Sequence, residues 1–409
     1  MKHLQRPAVA CLLLTLATQA LLSYHLATPH KPMFDEVHYV PAARTLWALA
    51  RPVNIEHPLL GKALIGLGIA LFGDDPFGWR ILSSVAGSLT VAGLFAIAWL
   101  TFRDLRTAVL TALLAILNFT LFVESRIAML DPFMAVLMVG GAAAMLWAMR
   151  SEGVAVGQRW LLGAVLLGLA AGCKWLAVPY GVLAAAGFLL ARNERRWPSM
   201  SIRGAAWRLA LGSTAGYFVT FLPAFFYAEQ PLTLATLLPF QLEMLREQMQ
   251  VLPAHTYQSA WWSWPLLIRP IWYLYEPVDG AVRGVLMLGN PAVMWGGLGA
   301  VALCGWAWLR ERAAAYGGVA ALWLGGWGMW ALIPKSLGFY YYYYLPSLWL
   351  PLAIAAAFHR YRGVRRQWWD EAFVALAAGL FIRFWPILSA AALDGPQAFQ
   401  RWMWFSTWP

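Results

Sequence analysis

Residues 59–73 read LLGKALIGLGIALFG. Whether this stretch crosses a bilayer or lies along its surface decides the topology of everything after it. It is apolar, but it is 15 residues long and contains Lys62, whereas a membrane-spanning helix needs ~17–25 residues. Apolar runs of spanning length lie around it at 8–27, 81–102, 107–123, 132–149, 209–228, 284–309, 313–334, 338–358 and 371–393. The segment 160–191 is 32 residues long with Cys173-Lys174-Trp175 at its middle, which predicts two short spans turning at Lys174. With 59–73 kept out of the bilayer the total is eleven spans. Segments 1–7, 103–106, 150–159, 192–208, 310–312 and 359–371 then fall on one side with 17 Lys+Arg against 6 Asp+Glu. The rest of the chain carries 13 of each. A crossing at 59–73 would invert every later loop and destroy this sorting, so the stretch is read as an interfacial helix.

The basic side is cytoplasmic by the positive-inside rule, which puts the N-terminus inside and the C-terminus outside. The net charge of +11 lies wholly on that side. It is a topology signal and calls for no nucleic-acid partner. Hydrophobic residues make up 61% of the 409 and charged residues 12%, against about 25% charged in soluble domains. That excludes a conventional soluble enzyme, a disordered chain and a secreted disulfide scaffold. The fold class is an all-α polytopic membrane protein. Cys11, Cys173 and Cys304 sit in or beside apolar runs, an odd set that suits neither disulfides nor zinc. The first segment, with Lys2 and Arg6 ahead of its apolar run, is read as a retained span. No internal repeat is visible, so 1–409 is read as a single transmembrane domain.

The chemistry gathers in three outer segments: a first outer loop at 28–80, a turn at 124–131 (ESRIAMLD) and a large loop at 229–283. Asp35-Glu36 opens a helix expected to run to Ala50, where the dipole favours ionised carboxylates; such a group can accept a proton from an attacking hydroxyl. Glu56-His57-Pro58 precedes the interfacial helix, and Lys62 on it either serves the site or reaches to the surface. Glu124, Arg126 and Asp131 crowd the short turn, either shaping the site or forming an Arg126–acid salt bridge. Lys174 is the one charge in the 161–191 hairpin, an anchor or a phosphate ligand. His255, Arg269 and Lys335 are outer cations suited to a phosphate. Leu238, Leu242, Leu245 and Met249 share one face of an amphipathic helix. Tyr340 to Tyr344 read as an aromatic belt in preference to a sugar platform.

These residues together resemble the protein O-mannosyltransferases. FDEVHYV (34–40) and EHPLLGKALIGLGIALFGDDPFGWRILSSVAGSLTV (56–91) are similar to that family's first outer loop. SRIAMLDPF (125–133) resembles its Arg-then-Leu-Asp motif. GCKW (172–175), HTYQSAWWSWPLLIRPIWY (255–273), GNPAVMWGG (289–297) and FYYYYYLPS (339–347) follow in the family's order, over about 30–350. The resemblance implies a GT-C glycosyltransferase fold. It implies transfer of mannose, with inversion, from polyprenyl-phosphate mannose to Ser/Thr hydroxyls of secreted or membrane proteins. It implies Asp35 as catalytic base with Glu36 its neighbour in acceptor or site organisation, His57, Lys62, Arg126 and Asp131 in support, and 255–269 beside the donor phosphate and acceptor groove.

The chain departs from the family at Leu59, where a second Pro is usual, and at Pro132, where Ser is common. It also has no room in 229–283 for the soluble MIR domain of eukaryotic members. The compact form resembles bacterial members, which implies a plasma-membrane enzyme with its site facing the periplasm or exterior. No metal or other cofactor is obligatory, although Asp35 and Glu36 offer oxygens to a divalent ion. Two rival functions remain. One is a related polyprenyl-phosphate-sugar transferase acting on a lipid or cell-envelope glycan. The other is a secondary transporter, which midplane charges and inverted repeats would mark.

Overall fold

A computed structural model describes residues 6–193, 200–333, 335–362 and 368–409. Lys2, Glu194, Arg195, Arg196, Arg365 and Arg366, which feed the charge sorting, lie outside the described residues. The helices are α1 (Pro7–Ser23), α2 (Glu36–Trp47), α3 (Leu60–Phe72), α4 (Pro76–Phe102), α5 (Leu105–Ile116), α6 (Phe119–Glu124), α7 (Asp131–Met149), α8 (Val154–Ala171), α9 (Val178–Asn193), α10 (Ile202–Phe218), α11 (Leu237–Gln248), α12 (Pro291–Glu311), α13 (Ala314–Gly328), α14 (Tyr344–Ser347), α15 (Trp349–Tyr361) and α16 (Trp369–Leu388). Among the described residues, six helical segments are long and apolar enough to cross a membrane.

The chain sorts into two compact units. One comprises Asp35–Gly93 and Ile127–Gln250. In it α7 packs on α8, α8 on α10, and α2 on α3. The helix at 60–72 has 13 residues, about 20 Å at 1.5 Å per residue, well short of a ~30 Å hydrocarbon layer. It follows α2 and packs on it through Trp47, whose indole N–H donates to the Ala63 carbonyl at 2.8 Å. The long apolar segment at 160–191 breaks where expected. α8 ends at Ala171, Lys174 is extended (φ −158°, ψ 133°), and a 3-10 turn at Trp175–Ala177 leads into α9.

The other unit comprises Met1–Phe34, Leu94–Arg126 and Val251–Pro409. Here the all-helical expectation needs an amendment. Ile271–Val278 (β1) and Ala281–Met287 (β2) form an antiparallel hairpin, and Ala392–Leu393 (β3) adds to its edge. Asp279 and Gly280 both have positive φ, 50° and 73°, the two-residue turn that a right-twisted hairpin prefers. The run read as a span from 284 therefore begins in a strand, and helix starts at Pro291 behind the Asn290 cap. The run at 107–123 is likewise split by Asn118, whose side chain caps α6. The tyrosine run is not a surface belt. Tyr340 to Tyr344 are all buried, because tight 3-10 and α turns point consecutive rings in every direction and protein surrounds each one.

Close backbone approach fixes the start of α4. A Cβ on Gly78 would lie 1.9 Å from the Gly73 carbonyl oxygen, and one on Gly68 would lie 2.4 Å from that of Gly78. Gly78→Ala is expected to cost about 1–3 kcal/mol by overpacking, read as a lower melting temperature in detergent. Gly299→Ala, with nothing within 4 Å of the added methyl, is the control. Equal melting of the two would show that the α3–α4 junction is looser than described.

Candidate active site

Asp35 occupies the N-cap position of α2, with its carbonyl accepting from the His38 and Tyr39 amides at 2.9 Å. Its side chain makes no capping bond. The residue before it, Phe34, holds φ 49°, a conformation that costs a bulky residue energy. Within its own unit Phe34 is held there by stacking on Tyr273 at 4.0 Å and by the edge of Tyr341.

Asp35 is partly open to solvent, but protein encloses most of it. Burial pushes its carboxyl up from 3.8 to about 6. Lys174 opposes this, Asp131 adds to it, and His38 and the Tyr39 hydroxyl, which donates a hydrogen bond to the carboxylate, pull back down. Lys174 and Asp131 form a buried ion pair, with Nζ 2.8 and 3.1 Å from the two carboxylate oxygens. Asp131 opens α7, where the helix dipole favours its charge. The break at 172–174 delivers Lys174 to it.

Glu36 is fully buried, and so is Arg80. The two form a bidentate pair at 2.8 Å on both arms, and Glu36 also accepts the Ala128 amide at 2.8 Å. With both oxygens committed, Glu36 suits site organisation, and it is not presented with Asp35 as a joint ligand for an ion. Among the described residues no cluster of three or more His, Cys, Asp or Glu is gathered. Lys62 does not reach to the surface. It is buried and donates to the carbonyls of Asn54 (2.7 Å), His57 (2.8 Å) and Val53 (3.4 Å), fixing the 53–57 loop. Burial pushes its ammonium down from 10.5 to about 7, with Glu56 opposing. His57 meets the Tyr39 ring edge-on at 5.9 Å and pairs through Nδ1 with the Gln248 amide at 3.1 Å.

Asp35, Glu36, His57, Lys62, Asp131 and Lys174 are thus brought together in one unit. Arg126, His255, Arg269 and Lys335 belong to the other. Arg126 pairs with backbone carbonyls. It donates to those of Leu22 (2.6 Å), Tyr24 (2.7 Å) and His25 (3.3 Å), closing the end of α1. Arg269 donates to the carbonyls of Thr407, Pro409 and Thr256 and so ties down the C-terminus. His255 is exposed, with its ring against Phe339. Lys335 lines a cleft of about 300 Å3 with Trp261, Trp264 and Trp330. Sequence reasoning missed Arg80 and Tyr39. Tyr39 stands four residues after Asp35, the spacing at which helical side chains meet. Arg80 carried no local sign of its partner.

Residues 56–222 match the family profile described as dolichyl-phosphate-mannose-protein mannosyltransferase, and 233–408 match that of the C-terminal four-transmembrane region of protein O-mannosyltransferase. A polyprenol-phosphate-mannose–protein mannosyltransferase of Mycobacterium tuberculosis is 26% identical over 97% of this chain and 90% of its own length. A chain of the S. cerevisiae protein O-mannosyltransferase complex bound to its sugar donor superposes with a TM-score of 0.81 at 12% identity, over 99% of this chain and 93% of that one. ArnT from Cupriavidus metallidurans bound to undecaprenyl phosphate superposes at 0.59 and 16% identity, over 91% and 64%.

The buried pair gives a direct test of this geometry. Arg80→Met strands the Glu36 carboxylate and is expected to cost about 3–5 kcal/mol. The double variant Glu36→Leu with Arg80→Met recovers most of that loss, read as melting temperature in detergent. A single variant that melts like the parent would remove the pair as the anchor of α2.

Proposed function

Because the chain belongs to the protein O-mannosyltransferase family, we propose that Asp35 is the general base of its transfer reaction and that Glu36, His57, Lys62, Asp131 and Lys174 hold that base in position. The protein is an integral membrane glycosyltransferase of the GT-C fold, moving mannose from polyprenyl-phosphate mannose to protein. The acceptor group is a Ser or Thr hydroxyl. Its oxygen attacks the anomeric carbon opposite the phosphate. The bond from that carbon to the phosphate oxygen breaks as the new bond forms, and its electrons leave with the polyprenyl phosphate. The hydroxyl proton passes to Asp35. A single displacement from the far face inverts the anomeric centre.

The observation that carries this reading is the setting of Asp35. A base works best when its pKa lies near ambient pH. A carboxyl raised to about 6 is ionised at pH 7 and still a better proton acceptor than an ordinary Asp. Arg126 and Arg269 donate to backbone carbonyls. The eleven-span map, with a periplasmic site in a bacterial plasma membrane, is part of the same proposal. A cysteine placed at the exposed Asp75 is expected to react with an impermeant maleimide from outside; labelling from the cytoplasm would overturn the map.

Purified protein given polyprenyl-phosphate mannose and a Ser/Thr-rich peptide is expected to add one hexose to the peptide. Donor consumption with a lipid or glycan acceptor, and none with peptide, would move the acceptor to that class. Activity should fall as pH drops through about 6, because the base must be unprotonated. Lys174→Met removes a cation that favours the carboxylate, so this limb should move to higher pH. Asp131→Asn removes an opposing anion and should move it to lower pH. Limbs that stay fixed in both variants would separate Asp35 from the pH dependence.

A further inference from the structure

Tyr39 is buried on α2, one turn along from Asp35. Its two ends have different surroundings. The hydroxyl donates to the Asp35 carboxylate. The ring rests against the His57 imidazole at 5.9 Å with an interplanar angle of 63°. His57 is itself fixed from two sides: Nδ1 pairs with the Gln248 amide at 3.1 Å, and its carbonyl accepts from Lys62 at 2.8 Å. Gln248, the last residue of α11, also donates to the Glu56 carbonyl. A connected set of contacts therefore runs from the end of α11 to the open carboxylate, within one compact unit.

We propose that Tyr39 is a positioning residue for the base, its hydroxyl orienting the Asp35 carboxylate and favouring its anion while the His57–Gln248 pair holds the Tyr39 ring in place. A carboxylate with several free rotamers loses reaction geometry, and a donor aimed at one oxygen leaves the other for the acceptor proton. A hydrogen bond donated to a carboxylate also favours its charged form. The other groups facing Asp35 are Lys174 and Asp131, from the α8–α9 break and the start of α7, and His38 on its own helix. Lys62 and Glu56 stand behind His57. None of these is altered by Tyr39→Phe, which keeps the ring and deletes the hydroxyl.

The proposal rests on Asp35 being the base, and pH–rate profiles of kcat/KM test the two separately. Tyr39→Phe is expected to raise the acid limb by about one pH unit. Its rate relative to the parent should then be about a third at pH 6.5 and rise towards a constant above pH 8. Gln248→Leu should shift the limb the same way by less, with donor KM unchanged. A ratio that is the same at every pH would make Tyr39 a packing residue and overturn the proposal. A parent enzyme with no limb near pH 6 would instead remove Asp35 as the base.

Discussion

A glutamate and an arginine meet in the interior with no solvent on either side chain, and the candidate site is arranged around them. Moving two such charges out of water costs several kcal/mol each even after relaxation. The Glu36–Arg80 pair offsets this with two parallel charge-assisted bonds and a third from the Ala128 amide. Three distant pieces of chain are thereby brought to one point: the first turn of α2, the start of α4 and the backbone just before α7. Asp35 precedes Glu36 and Asp131 lies three residues beyond Ala128, so fixing the buried pair also places these two carboxylates. The glycine contacts at 68, 73 and 78 serve the same end, because they leave α4 one position from which Arg80 reaches inward.

The same unit uses its lysines as internal fasteners. Lys62 gathers three carbonyls of the loop before α3, and Lys174 neutralises Asp131 at the break between α8 and α9. Each is buried, and each is satisfied by acceptors that the chain bends to supply. Asp35 keeps partial solvent access, and burial raises its carboxyl to about 6 against the pull of Lys174, His38 and the Tyr39 hydroxyl. The contrast between a committed Glu36 and an available Asp35 is the familiar division of labour between neighbouring acids whose environments push them apart.

Sequence made the helical content, the short helix that carries Lys62 and the break at Lys174 legible, because each follows from run length and from one charge in an apolar stretch. Asp35 stood out as one of two adjacent carboxylates at the start of a helix. The hairpin at 271–287 was obscured because its second strand, AVRGVLM, runs into the apolar stretch of α12, although the Asp279-Gly280 pair marked the turn. The partners of Arg126 and Arg80 were not legible. One binds carbonyls about 100 residues away and the other a carboxylate 44 residues back. Nothing local distinguishes a cation that meets an acid from one that meets a backbone oxygen. The burial of Tyr340 to Tyr344 was hidden similarly, since composition reports that rings are clustered and says nothing about which way each one points.

The central claim is that one carboxylate, Asp35, accepts the acceptor's proton while the rest of the frame holds it in place. The most direct measurement compares the parent protein with Asp35→Asn, following donor binding by titration and hexose transfer by mass spectrometry on the same preparation. The account predicts unchanged melting temperature, donor affinity within a few-fold of the parent and no detectable transfer. Near-parental transfer by the asparagine variant would contradict it.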